Sequence, residues 1–405
     1  MNYKTICMLV VLLSLPCTAV SAFAITCPGG VTVHLTSPSG PGTYHTPLRF
    51  TATASSTFTI TGYAVYTDSW SNIPFAIGQP MYLNTKTTLD AWVVLPLNST
   101  GGALSQNVYV RAWDSQGNCG DSATLSITTS GSVIPSAFPS GYQQWLNRDD
   151  DTTQNQYGPG WWPCGTSADP CAGGSPADSV SIAFGQSPRK DTNGSALFTM
   201  SGPPSSNALF YYKVAPLGGQ DALQNFVWDF YFQLSSNTRT DAQATEFDLF
   251  QALPITVGGT QKEYWFMVGT QCDYGAVGGP VWDAWDQVTN KWIPAIRNTQ
   301  TDNNPTGTPI PCTKFTPGVW HHAQFFLQRT YPDATYPVGR ILYGTVAIDG
   351  AATQWDISAP AVVAPAGYTD VLGFQHQLDL NAGAPDDTTL QEWADLDNLT
   401  AWPQD

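Results

Sequence analysis

The sequence predicts an all-β protein made of two sandwich units joined by a short linker, and three observations carry that prediction. Charged residues make up 11% of the 405 while hydrophobic residues make up 42% and aromatics 12%. That is too little charge for a disordered chain or a coiled coil, and enough apolar material for two cores. The 36 glycines and 31 prolines interrupt the chain too often for long helices. Between them recur short runs rich in Val, Thr, Tyr, Phe and Trp, which suit pleated surfaces. The 15 Lys and Arg stand against 31 Asp and Glu, and the net charge of −16 repels phosphate backbones, so nucleic acid is excluded as a partner.

In chain order, Lys4 precedes the apolar run Ile6 to Leu15, and Ala22-Phe23-Ala24 offers small residues for cleavage after Ala24. Residues 1–24 therefore read as a signal peptide and the protein as secreted, extracellular or periplasmic. The run is interrupted by Pro16 and Thr18 before it reaches the roughly 20 apolar residues of a membrane span, and no later stretch is apolar enough to cross. Outside that segment six cysteines remain: Cys27, Cys119, Cys164, Cys171, Cys272 and Cys312. Their positions favour the pairs Cys27–Cys119, Cys164–Cys171 and Cys272–Cys312, each within one unit. With no close Cys-x-x-Cys pair and no His beside a cysteine, zinc is the weaker alternative.

Residues 25–130 hold six strand candidates: Val31–Leu35, Leu48–Thr53, Gly62–Tyr66, Leu89–Val94, Val108–Trp113 and Ala123–Ile127. The segments Ile60 to Asp68 and Val108 to Asp114, which read ITGYAVYTD and VRAWD-like VYVRAWD, resemble strands of bacterial immunoglobulin-like modules. That resemblance implies a spacer sandwich. Residues 131–141, with Pro135 and Pro139, read as a linker. Residues 142–405 form the larger unit, with strands expected at Ala208–Val214, Phe226–Leu234, Glu246–Gln251, Glu263–Val268, His321–Gln328, Ile341–Ile348, Val371–Leu378 and Trp393–Trp402.

The phrase Glu246-Phe247-Asp248-Leu249-Phe250-Gln251 is the most informative in the chain. On a strand Glu246 and Asp248 share a face, and a one-residue bulge would return Gln251 to it. Here the sequence resembles concanavalin A-like jelly-roll glycoside hydrolases of the laminarinase and glucanase group, whose strand motif is Glu-x-Asp-x-x-Glu. The run Trp320 to Gln328 is similar to a laminin-G-like strand, and Glu392 to Trp402 to the final strand of concanavalin A-like modules. The resemblance implies a jelly-roll sandwich with Glu246 as nucleophile and Asp248 tuning it. It places Gln251 where the family has its general acid/base Glu. An amide transfers no such proton, but it hydrogen-bonds sugar hydroxyls.

Further candidates come from neighbouring runs. Gln375, Gln377 and Asp379 share one strand face, with Phe374, His376 and Leu378 on the other. His376 is the best substitute acid or base. Trp282-Asp283-Ala284-Trp285-Asp286 and the run to Trp292 read as a hairpin turning near Gln287–Asn290, with Trp282 and Trp285 on opposite faces and one of them a sugar platform. Trp161-Trp162 reads as an exposed aromatic pair in a loop. No cofactor is required, although the resemblance allows a structural calcium, for which Asp149–Asp151 or Asp386-Asp387 supply hard oxygen ligands. No serine-hydrolase elbow, Walker loop, dinucleotide fingerprint or His-Glu-x-x-His is present.

The expected function is secreted polysaccharide binding in a groove centred on Glu246, Asp248, Gln251, Gln375, Gln377 and an aromatic such as Trp285. The rivals are an active glycoside hydrolase or polysaccharide lyase using Glu246, Asp248 and His376, and a surface adhesion protein without glycan affinity.

Overall fold

The structure, a computed structural model, describes residues 27, 29–45, 48–67, 82–84, 87–93, 95, 103–130, 141–156, 158–169, 175–214, 220–296, 301, 307–329, 336–364 and 370–403. The expected signal segment, the linker up to residue 140 and Cys171 lie outside these residues. The chain is all-β, and the described residues enclose two large separate hydrophobic cores, one drawn from Val31 to Ile127 and the other from Trp145 to Ala401. None of its helices is long and apolar enough to cross a membrane, among the described residues.

The first core lies among nine strands: β1 (Thr32–Ser37), β2 (Thr43–His45), β3 (Leu48–Ser55), β4 (Ile60–Thr67), β5 (Tyr82–Asn84), β6 (Leu89–Val93), β7 (Leu104–Asp114), β8 (Cys119–Asp121) and β9 (Leu125–Ser130). A three-stranded sheet ordered β1-β3-β6 and a six-stranded sheet ordered β2-β9-β7-β4-β5, with β8 on β7, supply it. Val108, Val110 and Ala112 alternate inward along β7 and meet Phe50 and Tyr63. The expected Cys27–Cys119 disulfide is present, spanning 92 positions of chain.

The second core lies among β10 (Gln143–Trp145), β11 (Gly160–Cys164), β12 (Ser179–Gln186), β13 (Ser195–Gly202), β14 (Asn207–Lys213), β15 (Leu223–Leu234), α1 (Ser236–Asp241), β16 (Ala242–Val257), β17 (Thr260–Asp273), β18 (Val281–Asp286), β19 (Lys291–Pro294), β20 (His321–Arg329), β21 (Arg340–Ile348), β22 (Ala351–Pro360), β23 (Val362–Val363), β24 (Val371–Leu380) and β25 (Thr388–Pro403). The front sheet runs β11-β14-β24-β16-β17-β18-β19 with β23 on β17. The back sheet runs β12-β13-β25-β15-β20-β21-β22 with β10 on β25. Their facing side chains form one core, so this unit is a two-layer sandwich of the kind the sequence predicts. The Cys272–Cys312 disulfide is also present, and Cys164 is disulfide-bonded.

Two local features decide which side chains meet. β16 pairs with β17 residue by residue from Ala244↔Asp273 to Val257↔Thr260 with no shift of register. Alternation is therefore unbroken: Phe247, Leu249 and Leu253 enter the core, while Glu246, Asp248 and Phe250 lie on the outer face of the front sheet. β25, by contrast, is bulged against β15, where Asp229 pairs with Asn398 and Tyr231 with Asp395. Leu396 takes a left-handed φ of 54° there. The extra residue inverts the alternation, so Leu390 and Ala394 face the core before it and Leu399 and Ala401 after it. Glu392 and Asp397 thereby both point inward.

Candidate functional site

On the outer face of the front sheet the strand registers line up two rows of side chains across five strands or more. One row runs Leu209, Gln377, Glu246, Gln271 and Asp283, through the pairs Leu209↔Gln377, Glu246↔Gln377, Glu246↔Gln271 and Gln271↔Asp283. The next runs Trp162, Tyr211, Gln375, Asp248 and Gly269 through the same strands. Trp285 follows Gly269 and pairs with Trp292 of β19, their rings 5.1 Å apart. Gly269 is needed for this packing, because a Cβ there would fall 2.6 Å from the Trp285 Cβ and 3.2 Å from Asp248 Oδ1. The middle of both rows is thus carboxyl and amide, and the second row ends in aromatics on both sides.

Hydrogen bonds tie the middle together. Gln375 Nε2 donates to Asp248 Oδ2 and, at 3.3 Å, to Gln377 Oε1. Gln377 Nε2 donates to Asp379 Oδ1 at 3.0 Å, and Gln271 Nε2 to Asp283 Oδ2 at 3.0 Å. The Thr270 backbone N–H donates to Asp248 Oδ1 at 3.0 Å. Glu246 is in hydrogen-bonding reach of both Asp248 and Asp379. Its Oε2 is buried and has no partner among the described residues.

These carboxyls are almost wholly buried, at 2% for Glu246 and 0% for Asp248, whereas Trp162, Tyr211, Trp285 and Trp292 are partly exposed. The polar groups therefore form a floor between half-exposed aromatic walls. Burial, and then the neighbouring carboxyl charges, hold Glu246 well above the usual carboxylate range and raise Asp248 with it. Asp379 and Asp283 rise to about 6, again chiefly by burial. Near neutral pH Glu246 and Asp248 retain protons while Asp379 is largely ionised, so the floor presents O–H donors as well as acceptors.

The structure corrects several expectations. Gln251 does not join Glu246 and Asp248, because no bulge interrupts β16 between Glu246 and Gln251; it points between the sheets, where its Nε2 donates to the Leu223 carbonyl at 3.5 Å. The outer-face position beyond Asp248 is Phe250, packed on Trp265. His376 also lies on the core side, as its alternation with Gln375 and Gln377 requires. It is fully buried between two carboxylates of β25, with Nδ1 2.6 Å from Glu392 Oε1 and Nε2 3.0 Å from Asp397 Oδ2. Both are brought to it by the bulge, and they raise it to about 9 against the opposing effect of burial. Set between the sheets with both ring nitrogens engaged, His376 is a structural residue.

Trp282 likewise faces inward, 5% exposed and 5.5 Å from the Trp355 ring, so of Trp282 and Trp285 only Trp285 belongs to the outer face. The Trp161-Trp162 pair lies on strand β11, not in a loop, with Trp161 fully buried and its Nε1 donating to the Arg148 carbonyl at 2.8 Å. At Asp149–Asp151, Asp149 Oδ1 accepts the Asp397 N–H, Asp150 the Asn193 amide and Asp151 the Tyr212 hydroxyl, so the three do not converge. Among the described residues no group of three or more His, Cys, Asp or Glu is arranged to hold a metal ion.

Gln271, Trp292 and Gly269 join the site without having been singled out for it, together with Asp283 and with Asp379, which the sequence already places on the face of Gln375 and Gln377. Asp283 and Asp379 carry a legible signal, since each alternates with residues that were selected, Trp285 and Gln377. Gln271 carries none, because only register with Glu246 makes it a neighbour.

Comparison with protein families and with curated proteins found no match. Among solved structures, a carbohydrate-binding module of the β-sandwich superfamily overlaps at 13% identity and a TM-score of 0.28, covering 91% of this chain and 98% of that one. The basic winged bean lectin with Tn-antigen overlaps at 10% identity and 0.32, covering 64% and 98%. A mutant of alginate lyase Aly36B in complex with alginate trisaccharide overlaps at 10% and 0.29, covering 61% and 99%. At these scores the overlaps assign no function to this chain.

Proposed function

We propose that this is a secreted polysaccharide-binding protein whose recognition face is the outer face of the front sheet. The observation that carries the reading is the pair of in-register rows, with amides and carboxyls at the centre and Trp162, Tyr211, Trp285 and Trp292 toward the ends. Neighbouring strands are roughly 4.8 Å apart, close to the length of one pyranose unit, so a glycan lying across the strands meets a new side chain at each ring. Aromatic faces stack on sugar rings, and the floor supplies donors and acceptors to hydroxyls, including the buried Glu246 Oε2. The two rows contain no Lys or Arg, and the chain carries −16, which favours an uncharged polysaccharide over a uronan. Residues 25–130 serve as an immunoglobulin-like spacer after export by the signal segment.

Retention on insoluble β-glucan without product, lost on Glu246→Gln and on Trp285→Ala, is the expected result. Release of reducing sugar, abolished by Glu246→Gln, would replace this reading with a hydrolase in which Asp379 or Asp283 supplies the second carboxyl. Absence of retention across neutral glucans, mannans and alginate would leave adhesion as the surviving alternative.

A further inference from the structure

At one end of the larger sandwich a cavity of about 310 Å³ opens between the two sheets, on the inner side of β18 and so separate from the outer face. Three aromatics line it: Trp282, Phe315 and Trp355, at 5%, 6% and 0% exposure. Trp282 lies 5.5 Å from Trp355 and 6.5 Å from Phe315, tilted by 58° and 61°. The indole N–H of Trp355 is buried and has no acceptor among the described residues. An indole nitrogen is a donor only, and a buried donor without an acceptor weakens the fold unless something enters to accept from it.

The cavity is held open by cross-links in its wall. Cys312 is tied to Cys272 of β17. His321 Nε2 accepts the Thr316 N–H at 3.1 Å, while its Nδ1 lies 2.8 Å from Asp349 Oδ2. Engaged at both nitrogens, the ring braces the segment after Cys312 against the turn between β21 and β22. Thr313 and Thr353 add hydroxyls to the lining, and Lys314 and Asp349 add one charge of each sign.

We infer that this cavity is a second ligand site that takes a single neutral pyranose unit. The volume falls at the small end of sites for small molecules. A pyranose has an apolar face for Trp282 and Phe315 and ring or hydroxyl oxygens that accept from Trp355 Nε1, with hydroxyls left for the threonines. A planar aromatic molecule fills the same walls but brings no acceptor at its edge for the indole. The site stands independently of the outer face, because Trp282 and Trp285 point to opposite sides of one strand.

The test is ligand-observed NMR on the whole protein with methyl β-glucopyranoside, methyl α-mannopyranoside and methyl β-galactopyranoside, indole serving as the aromatic competitor. Thr353→Trp fills the cavity and is expected to weaken glycoside binding at least tenfold. Trp355→Phe keeps the ring and removes the N–H, with an expected loss of about tenfold. Glu246→Gln, on the outer face, is expected to leave this binding unchanged even if polysaccharide retention fails. If Thr353→Trp lacks a cooperative melt, Trp355→Phe decides. The inference is overturned if none of the three glycosides binds the wild type, if binding survives both cavity variants, or if indole binds in their place.

Discussion

Replacing His376 with Gln tests whether the buried charge network under the front sheet is a stabilising unit with a defined pH range. His376, Glu392 and Asp397 are all fully buried, and Asp397 also accepts from Trp228 Nε1 at 2.6 Å. Removing the cation leaves two carboxylates facing each other without compensation, a change that costs about 3–5 kcal/mol in buried pairs. The imidazole is raised from 6.5 to about 9 by Asp397 and Glu392, against burial. A raised histidine stabilises fully below the unfolded value of 6.5, and the contribution disappears as pH rises through about 9. The difference corresponds to about 3 kcal/mol. Urea unfolding of the wild type and His376→Gln at pH 6, 7.5 and 9.5, followed by tryptophan fluorescence, should show the gap between them shrinking by about that amount. Asp149, raised to about 8 chiefly by burial, and the outer-face carboxyls also lose stability as pH rises. They are common to both proteins and largely cancel in the comparison. Profiles parallel to within about 0.5 kcal/mol, the scatter of neutral surface changes, would refute the network.

The Trp282–Trp292 hairpin offers a paired test: Trp285→Ala should weaken glucan retention about tenfold with an unchanged melting temperature, while Trp282→Ala should destabilise by about 3–5 kcal/mol in calorimetry. Glu246→Gln should cost binding yet raise stability at pH 8, because burial and the neighbouring carboxyls penalise the ionised side chain. Raised carboxyls support the fold below their unfolded values and lose that support as pH rises through the folded ones, so the gain should vanish near pH 4; thermal melts across that range check it. Cys27→Ser with Cys119→Ser opens a loop of 92 positions and should lower the stability of the first unit by about 4–5 kcal/mol in urea.

Much of the fold is legible from alternation alone. Gln375, Gln377 and Asp379 do part from His376 across β24, and Trp282 from Trp285 across β18, because a strand turns successive side chains to opposite faces wherever it sits. The two described disulfides join cysteines that lie within one unit, 92 and 40 positions apart, as the sequence favours. Gln251 shows where local reading stops: a bulge on β16 is compatible with its sequence, and its regular pairing with β17 excludes it. The bulge that matters lies on β25 at Leu396, a residue with no Gly or Asn signature for a positive φ.

By itself, then, the sequence determined an all-β chain and the division of each strand into two sets of side chains, because both depend on composition and on a period of two. The tertiary structure decided which set faces water and which set faces the other sheet. It placed Gln271 beside Glu246 with Asp283 next in the same row, and it drew Glu392 and Asp397 onto His376. Those outcomes depend on register and on the packing of sheet against sheet, which join residues far apart in the chain and leave no local pattern in it.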